Sequence, residues 1–172
     1  LARLDVQSRR MESLVKDANL YGDWRLSDDG SRVVFRRSDG DRPDDVYAAD
    51  VAFTQVRRLT TLNPQLDAVA FGKSELVEYL DVDGTRLYGV LHYPPGYEPG
   101  KKYPLVAEIY ETFFDNGYNE NMQLVTARGW LGFRPSVDLE IGFPGEAWLK
   151  GVTPAINTLI GRGLVDEKQL GV

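Results

Sequence analysis

Asp83-Gly84-Thr85-Arg86-Leu87-Tyr88-Gly89-Val90-Leu91-His92-Tyr93-Pro94-Pro95-Gly96-Tyr97-Glu98-Pro99-Gly100-Lys101-Lys102-Tyr103-Pro104-Leu105-Val106-Ala107-Glu108-Ile109-Tyr110 is the stretch that decides the fold. Leu87 to Tyr93 carries aliphatic and aromatic residues at strand density, Pro94 to Lys102 is a Pro/Gly/Lys turn, and Pro104 to Tyr110 is a short apolar run of buried-strand type. Asp83-Gly84 is a tight-hairpin dipeptide. Just upstream, Leu76 to Val82 alternates apolar and polar positions, as a half-exposed antiparallel strand does. The expectation is a β-hairpin followed by a buried strand ending at Tyr110.

Downstream, Asn119 to Arg128 has the pattern of a helix closed by a left-handed stop at Gly129, and Trp130 to Ser136 that of a further strand. Trp148 to Arg162, stopped by Gly163, is a second helix in which Pro154 marks a kink or the first turn. A last strand begins near Gln169. Strands alternating with helices imply an α/β fold with a parallel sheet covered on both faces.

Upstream the pattern is different. Met11, Leu14, Val15 and Ala18 recur at helix-like spacing, which suggests a short helix or an irregular lead-in over residues 3–20. From Trp24 to Phe35 a Ser27-Asp28-Asp29-Gly30 turn feeds a β-branched run, and Asp45 to Val51 and Gln55 to Thr60 supply two more strands. These strands resemble one blade of a β-propeller. A blade buries its faces against neighbouring blades, and no second copy of the pattern occurs in the chain.

The 172 residues, 42% hydrophobic and 27% charged, suit a globular chain with a core. No apolar run approaches the roughly 20 residues that cross a bilayer, so no membrane association is expected. Without cysteine there are no disulfides or thiolate metal sites, while the compartment, cytoplasmic or periplasmic, stays open. No targeting segment is visible after Leu1. Residues 1–63 hold 11 Lys/Arg and 11 Asp/Glu, whereas residues 64–172 hold 9 and 15 and so carry the whole net charge of −6. That balance excludes a nucleic-acid footprint. It suits either a solvated surface or the attraction of cationic peptide ends.

The hairpin, the Lys-Tyr-Pro-Leu-Val run and the Arg134-Pro135 pair leading to Gly142, Gly145 and Trp148 resemble the start of the catalytic domain in the prolyl oligopeptidase family of serine peptidases. The resemblance runs from about Trp24 to the last residue. It implies a blade-like segment from a propeller cap at residues 1–63, a linker at 64–76 and the N-terminal half of an α/β-hydrolase domain at 77–172. The implied reaction is hydrolysis of oligopeptides through an acyl-enzyme, without metal or cofactor. No Gly-x-Ser-x-Gly elbow occurs among residues 1–172, so the chain alone is expected to be inactive, with the remainder of a parent chain needed for a complete fold. An esterase on the same fold and a non-catalytic interaction module are the alternative readings.

Acyl transfer needs a nucleophile, a base, a carboxylate and oxyanion donors. His92, the only histidine, lies within a strand, with its tip expected in solvent or hydrogen-bonded, and is not a base. Ser27, Ser31 and Ser38 fall in blade turns, Ser74 in the linker and Ser136 after a strand, none in a nucleophile turn. Tyr110 occupies the position where the resemblance implies a hydroxyl donor to the oxyanion hole; the other reading is a tyrosine that packs the first crossing loop. Where many family members continue with Gly-Gly or Gly-Pro, this chain has Glu111-Thr112-Phe113-Phe114. Gly142 and Gly145 are expected to supply backbone freedom. Asp138, Glu140 and Glu146 are read as a solvated loop, not a metal set.

Overall fold

The computed structural model describes residues 1–110, 115–139 and 141–172. The chain divides into two units, Leu1–Ala68 with Asn116–Tyr118, and Val69–Asp115 with Asn119–Val172.

The first unit opens on a hairpin, β1 (Ala2–Leu4) paired antiparallel with β2 (Met11–Ser13), where the sequence spacing suggested a short helix or an irregular lead-in. An isolated helix of this length is marginal in water, and Met11 is 73% exposed, so no buried surface offsets its cost. The hairpin has local closures instead. Asp5 accepts hydrogen bonds from the Ser8 main-chain N–H (2.7 Å) and hydroxyl (2.8 Å), while the Leu1 carbonyl accepts the N–H groups of Leu14 and Val15.

A four-stranded antiparallel sheet follows, β3 (Leu20–Leu26), β4 (Arg32–Ser38), β5 (Asp45–Asp50) and β6 (Arg57–Arg58), with the strands adjacent in that order. The β3–β4 turn forms where the sequence places it: the Asp29 carboxylate accepts from Ser27 Oγ and from the N–H and Oγ of Ser31, bonds that hold its pKa at about 2. Val33, Phe35 and Ala49 are buried on one face of the sheet, with Tyr21, Trp24, Tyr47 and Phe53 packed around them. The Phe35 ring lies 5.0 Å from Trp24 and 5.3 Å from Phe53. Ser38, expected in a turn, is the buried last residue of β4.

The second unit holds a five-stranded sheet of β7 (Ser74–Leu80), β8 (Arg86–His92), β9 (Tyr103–Ala107), β10 (Leu131–Pro135) and β11 (Val165–Gly171), in the order β11-β9-β10-β8-β7. β9 runs parallel to β10 and β11, whereas β8 is antiparallel to both β7 and β10. The sheet is therefore mixed, its antiparallel edge being the hairpin closed at Asp83-Gly84. One face buries Val77, Tyr79, Leu91, Tyr103, Leu105, Leu131 and Phe133 against Ala155 and Leu159 of α2 (Pro144–Gly161). Each fully buried side chain of this size contributes about 1.5–3 kcal/mol. The opposite face meets α1 (Glu120–Thr126), whose N-cap Asn119 accepts from the Met122 N–H at 2.9 Å. Gly132 permits that approach: a Cβ there would stand 2.7 Å from Met122 Sδ.

The starts of α2 and β11 differ from the sequence expectation. Helix α2 starts at Pro144, not Trp148, so Gly145 is helical and only Gly142 (φ +91°) takes the left-handed turn. Proline at the first helical position needs no N–H partner, and this signal outweighs the turn character of Pro-Gly. Pro154 then lies inside the helix. The Lys150 carbonyl that its missing N–H would have bonded accepts the Val82 N–H instead, at 3.3 Å. β11 begins at Val165, earlier than Gln169, because its polar Asp166 to Gln169 portion pairs irregularly with β9 between Val165 and Leu170. The two stop glycines are left-handed as expected, Gly129 (φ +81°) and Gly163 (φ +74°), while α1 ends at Thr126, two residues short of Arg128, and α2 at Gly161.

Candidate functional site

Because β9, β10 and β11 are parallel, their C-terminal ends share one edge of the sheet, the edge at which open α/β sheets bind ligands. Tyr110 belongs to that edge. β9 itself ends at Ala107, three residues sooner than the sequence suggested. The Glu108 N–H adds one further rung, to the Phe133 carbonyl at 2.9 Å, and Tyr110 stands two residues beyond it, 68% exposed. Among the described residues its hydroxyl makes no hydrogen bond, so the phenol retains a donor for a group outside them. Glu111 to Phe114 and Glu140 lie outside the described residues.

An ion-pair network surrounds the base of this segment. Arg134, at the end of β10 and with 18% of its side chain exposed, has Nε 3.2 Å from Glu108 Oε2. Its Nη1 donates to the Asp115 carbonyl at 3.1 Å and lies 3.8 Å from Asp115 Oδ1. Glu108 Oε2 also accepts from Asn119 Nδ2 at 3.0 Å, which links the network to the N-cap of α1. Sequence reasoning singled out Arg134 through its Arg-Pro pair but not its partners. Glu108 and Asn119 carry no motif, and only the pairing of β9 with β10 brings them to Arg134.

The other candidates are structural. Ser136 is buried: its Oγ accepts the Tyr88 N–H at 3.1 Å and its carbonyl accepts the Tyr79 hydroxyl at 2.6 Å. Ser74 opens β7 opposite His92. His92 is itself buried, contrary to the expected solvent-facing or hydrogen-bonded tip, and among the described residues its Nε2 has no partner. Burial, with a smaller contribution from Arg134, lowers its pKa to about 4, so it is neutral near pH 7.

Asp138 and Glu146 line a cleft of about 280 Å³ together with Asp81, Asp83 and Lys150. Lys150 Nζ stands 3.0 Å from both Asp83 and Glu146, which accounts for much of that charge. Among the described residues no cluster of His, Cys, Asp or Glu is arranged to hold a metal ion, and no helix is long and apolar enough to cross a membrane.

No family model and no curated protein matches the sequence. Solved structures match it well. The isopeptidase AtxE2 with Astexin3-dC4 bound superposes at a TM-score of 0.81 with 14% identity, over 98% of this chain and 29% of that one. An acylaminoacyl peptidase from Pyrococcus horikoshii gives 0.71 at 14% identity, over 93% and 28%, and a puromycin-hydrolyzing peptidase from Mycobacterium tuberculosis gives 0.71 at 18%, over 98% and 28%. The fold is that of the prolyl oligopeptidase family. Within that fold the four-stranded unit is the blade-like segment and the five-stranded unit is the partial α/β-hydrolase sheet. The chain spans less than a third of the length of these prolyl oligopeptidase-fold structures.

Proposed function

We propose that the chain forms part of a serine peptidase of the prolyl oligopeptidase family, with residues 1–63 from its propeller cap, 64–76 as a linker that runs into the first residues of β7, and 77–172 as the first half of its hydrolase domain. The reaction is hydrolysis of a peptide bond through an acyl-enzyme. Tyr110 has one role in it. Its hydroxyl donates to the oxygen that becomes negative when the serine attacks the scissile carbonyl, a charge that exists only in and around the tetrahedral state. Serine, histidine and carboxylate come from outside these 172 residues, so the chain alone does not turn over substrate.

The observation that carries this reading is the exposed Tyr110 phenol, free among the described residues and just past β9 on the C-terminal edge of the parallel strands. The test is Tyr110→Phe in the complete enzyme. The expected loss is about 10² to 10³ in kcat, or roughly 2.7–4 kcal/mol, with KM little changed. A kcat within a few-fold of the parent, or a rise in KM alone, removes Tyr110 from the catalytic list and leaves it a packing or substrate-binding residue.

A further inference from the structure

One side chain engages two residues that flank Tyr110 in the chain. Arg134 Nε faces the carboxylate of Glu108 at 3.2 Å, and Arg134 Nη1 donates to the main-chain carbonyl of Asp115 at 3.1 Å. Tyr110 lies between these two feet in the chain. Among the described residues, neither Ile109 nor Tyr110 is fixed by a main-chain hydrogen bond of its own. The ties at Glu108 and Asp115 are therefore the described polar constraints that flank Tyr110 in the chain.

We propose that Arg134 is a positioning residue, a clasp that sets where the Tyr110 hydroxyl stands over the sheet edge. The proposal rests on the reading of Tyr110 as an oxyanion donor. A guanidinium suits the task because its planar, divergent N–H groups engage a carboxylate and a carbonyl at once, whereas an ammonium is a point charge on a flexible stem. Partial burial strengthens the pair: with 18% of the Arg134 side chain and 33% of the Glu108 side chain exposed, water competes less than at an open surface. Asn119 adds a strut. By donating to the same Glu108 oxygen at 3.0 Å while its own Oδ1 caps α1, it ties the first foot to a helix as well as to β10. A donor that acts on the transition state must be held close to its productive position, and a displacement of about 1 Å costs about 10²-fold in rate. Loss of the clasp therefore reaches the chemical step through Tyr110, with no contact between Arg134 and substrate.

The test is a double-mutant cycle in the complete enzyme. Arg134→Gln is expected to lower kcat by about 10- to 10²-fold with KM within a few-fold. Arg134→Lys, which reaches one foot only, recovers part of that loss. In a Tyr110→Phe background Arg134→Gln adds little further, because the group it positions is already gone. Three results overturn the clasp: an undiminished Arg134→Gln loss in that background, a rise in KM with kcat unchanged, or no kcat effect from Arg134→Gln while Tyr110→Phe is impaired. A Tyr110→Phe enzyme with parental kcat overturns the oxyanion reading itself and is told apart by that single variant. Should Arg134→Gln not fold, Glu108→Gln weakens the clasp from the other side. It is expected to give the same loss confined to kcat, and its absence overturns the proposal.

Discussion

Acidification reports on His92 in a way that its sequence position does not suggest. Leu91 points into the core under α2, so His92 projects to the opposite face, opposite Gly132 and on the side of α1. There burial lowers its pKa from the ordinary 6.5 to about 4. The folded state prefers the neutral ring, so the stability linked to His92 is complete above the unfolded pKa and is lost as pH falls from about 6.5 towards 4. At about 1.4 kcal/mol per pKa unit, the loss is about 2 kcal/mol by pH 5 and about 3 kcal/mol by pH 4. His92→Leu removes both the titration and the Nε2 that lacks a partner among the described residues. The leucine variant is expected to be no less stable than the parent near pH 7, since an unsatisfied buried polar atom costs about 1–3 kcal/mol. It should be markedly more stable near pH 5. Urea unfolding of parent and variant across this range, followed by tryptophan fluorescence, measures the difference directly; carboxylate titration is common to both proteins and cancels. Equal pH slopes for the two proteins would refute the reasoning.

Gly132→Ala should destabilise the protein by about 1–3 kcal/mol, because its Cβ would stand 2.7 Å from Met122 Sδ, and the cost should shrink in a Met122→Ala background, as shown by unfolding free energies of the four variants. In the blade-like sheet Asp45 is buried and accepts from Arg58, from Thr60 Oγ1 (2.6 Å) and from the Leu62 N–H (3.0 Å); Asp45→Ala should cost about 1–3 kcal/mol in urea unfolding. Burial of Asp45 works against its ionised form, but those three donors outweigh it and hold its pKa below the ordinary value. Its stabilisation is therefore present above about pH 4 and lost on further acidification, a dependence that Asp45→Asn should abolish.

Much of the second unit was legible because its signals are local. Alternation marks β7, Asp83-Gly84 marks the hairpin, and Gly129 and Gly163 end the helices whatever surrounds them. Tyr110 became a candidate through the resemblance alone, which places an oxyanion donor after the Lys-Tyr-Pro-Leu-Val run. The same local logic misled where a competing partner was distant in sequence. Met11 to Ala18 carry helical spacing, yet Ala2–Leu4 and Met11–Ser13 pair as a hairpin, and Pro154, read as a kink or a first turn, lies inside α2 with Val82 taking up the Lys150 carbonyl. The burial of His92 likewise follows from its register against Gly132, not from its neighbours in the chain.

By itself the sequence determined the element types over most of the second unit, the hairpin, the turn at Asp29 and the absence of an elbow serine, all set by side-chain periodicity and by residues whose backbone preferences act over a few positions. Only the tertiary structure decided that β9 stops short of Tyr110, that β11 joins the far side of β9, and that Arg134 meets Glu108, Asp115 and Asn119. Strand order and ion-pair partners depend on which distant segments exclude water from each other, and that selection leaves no periodic trace in the chain.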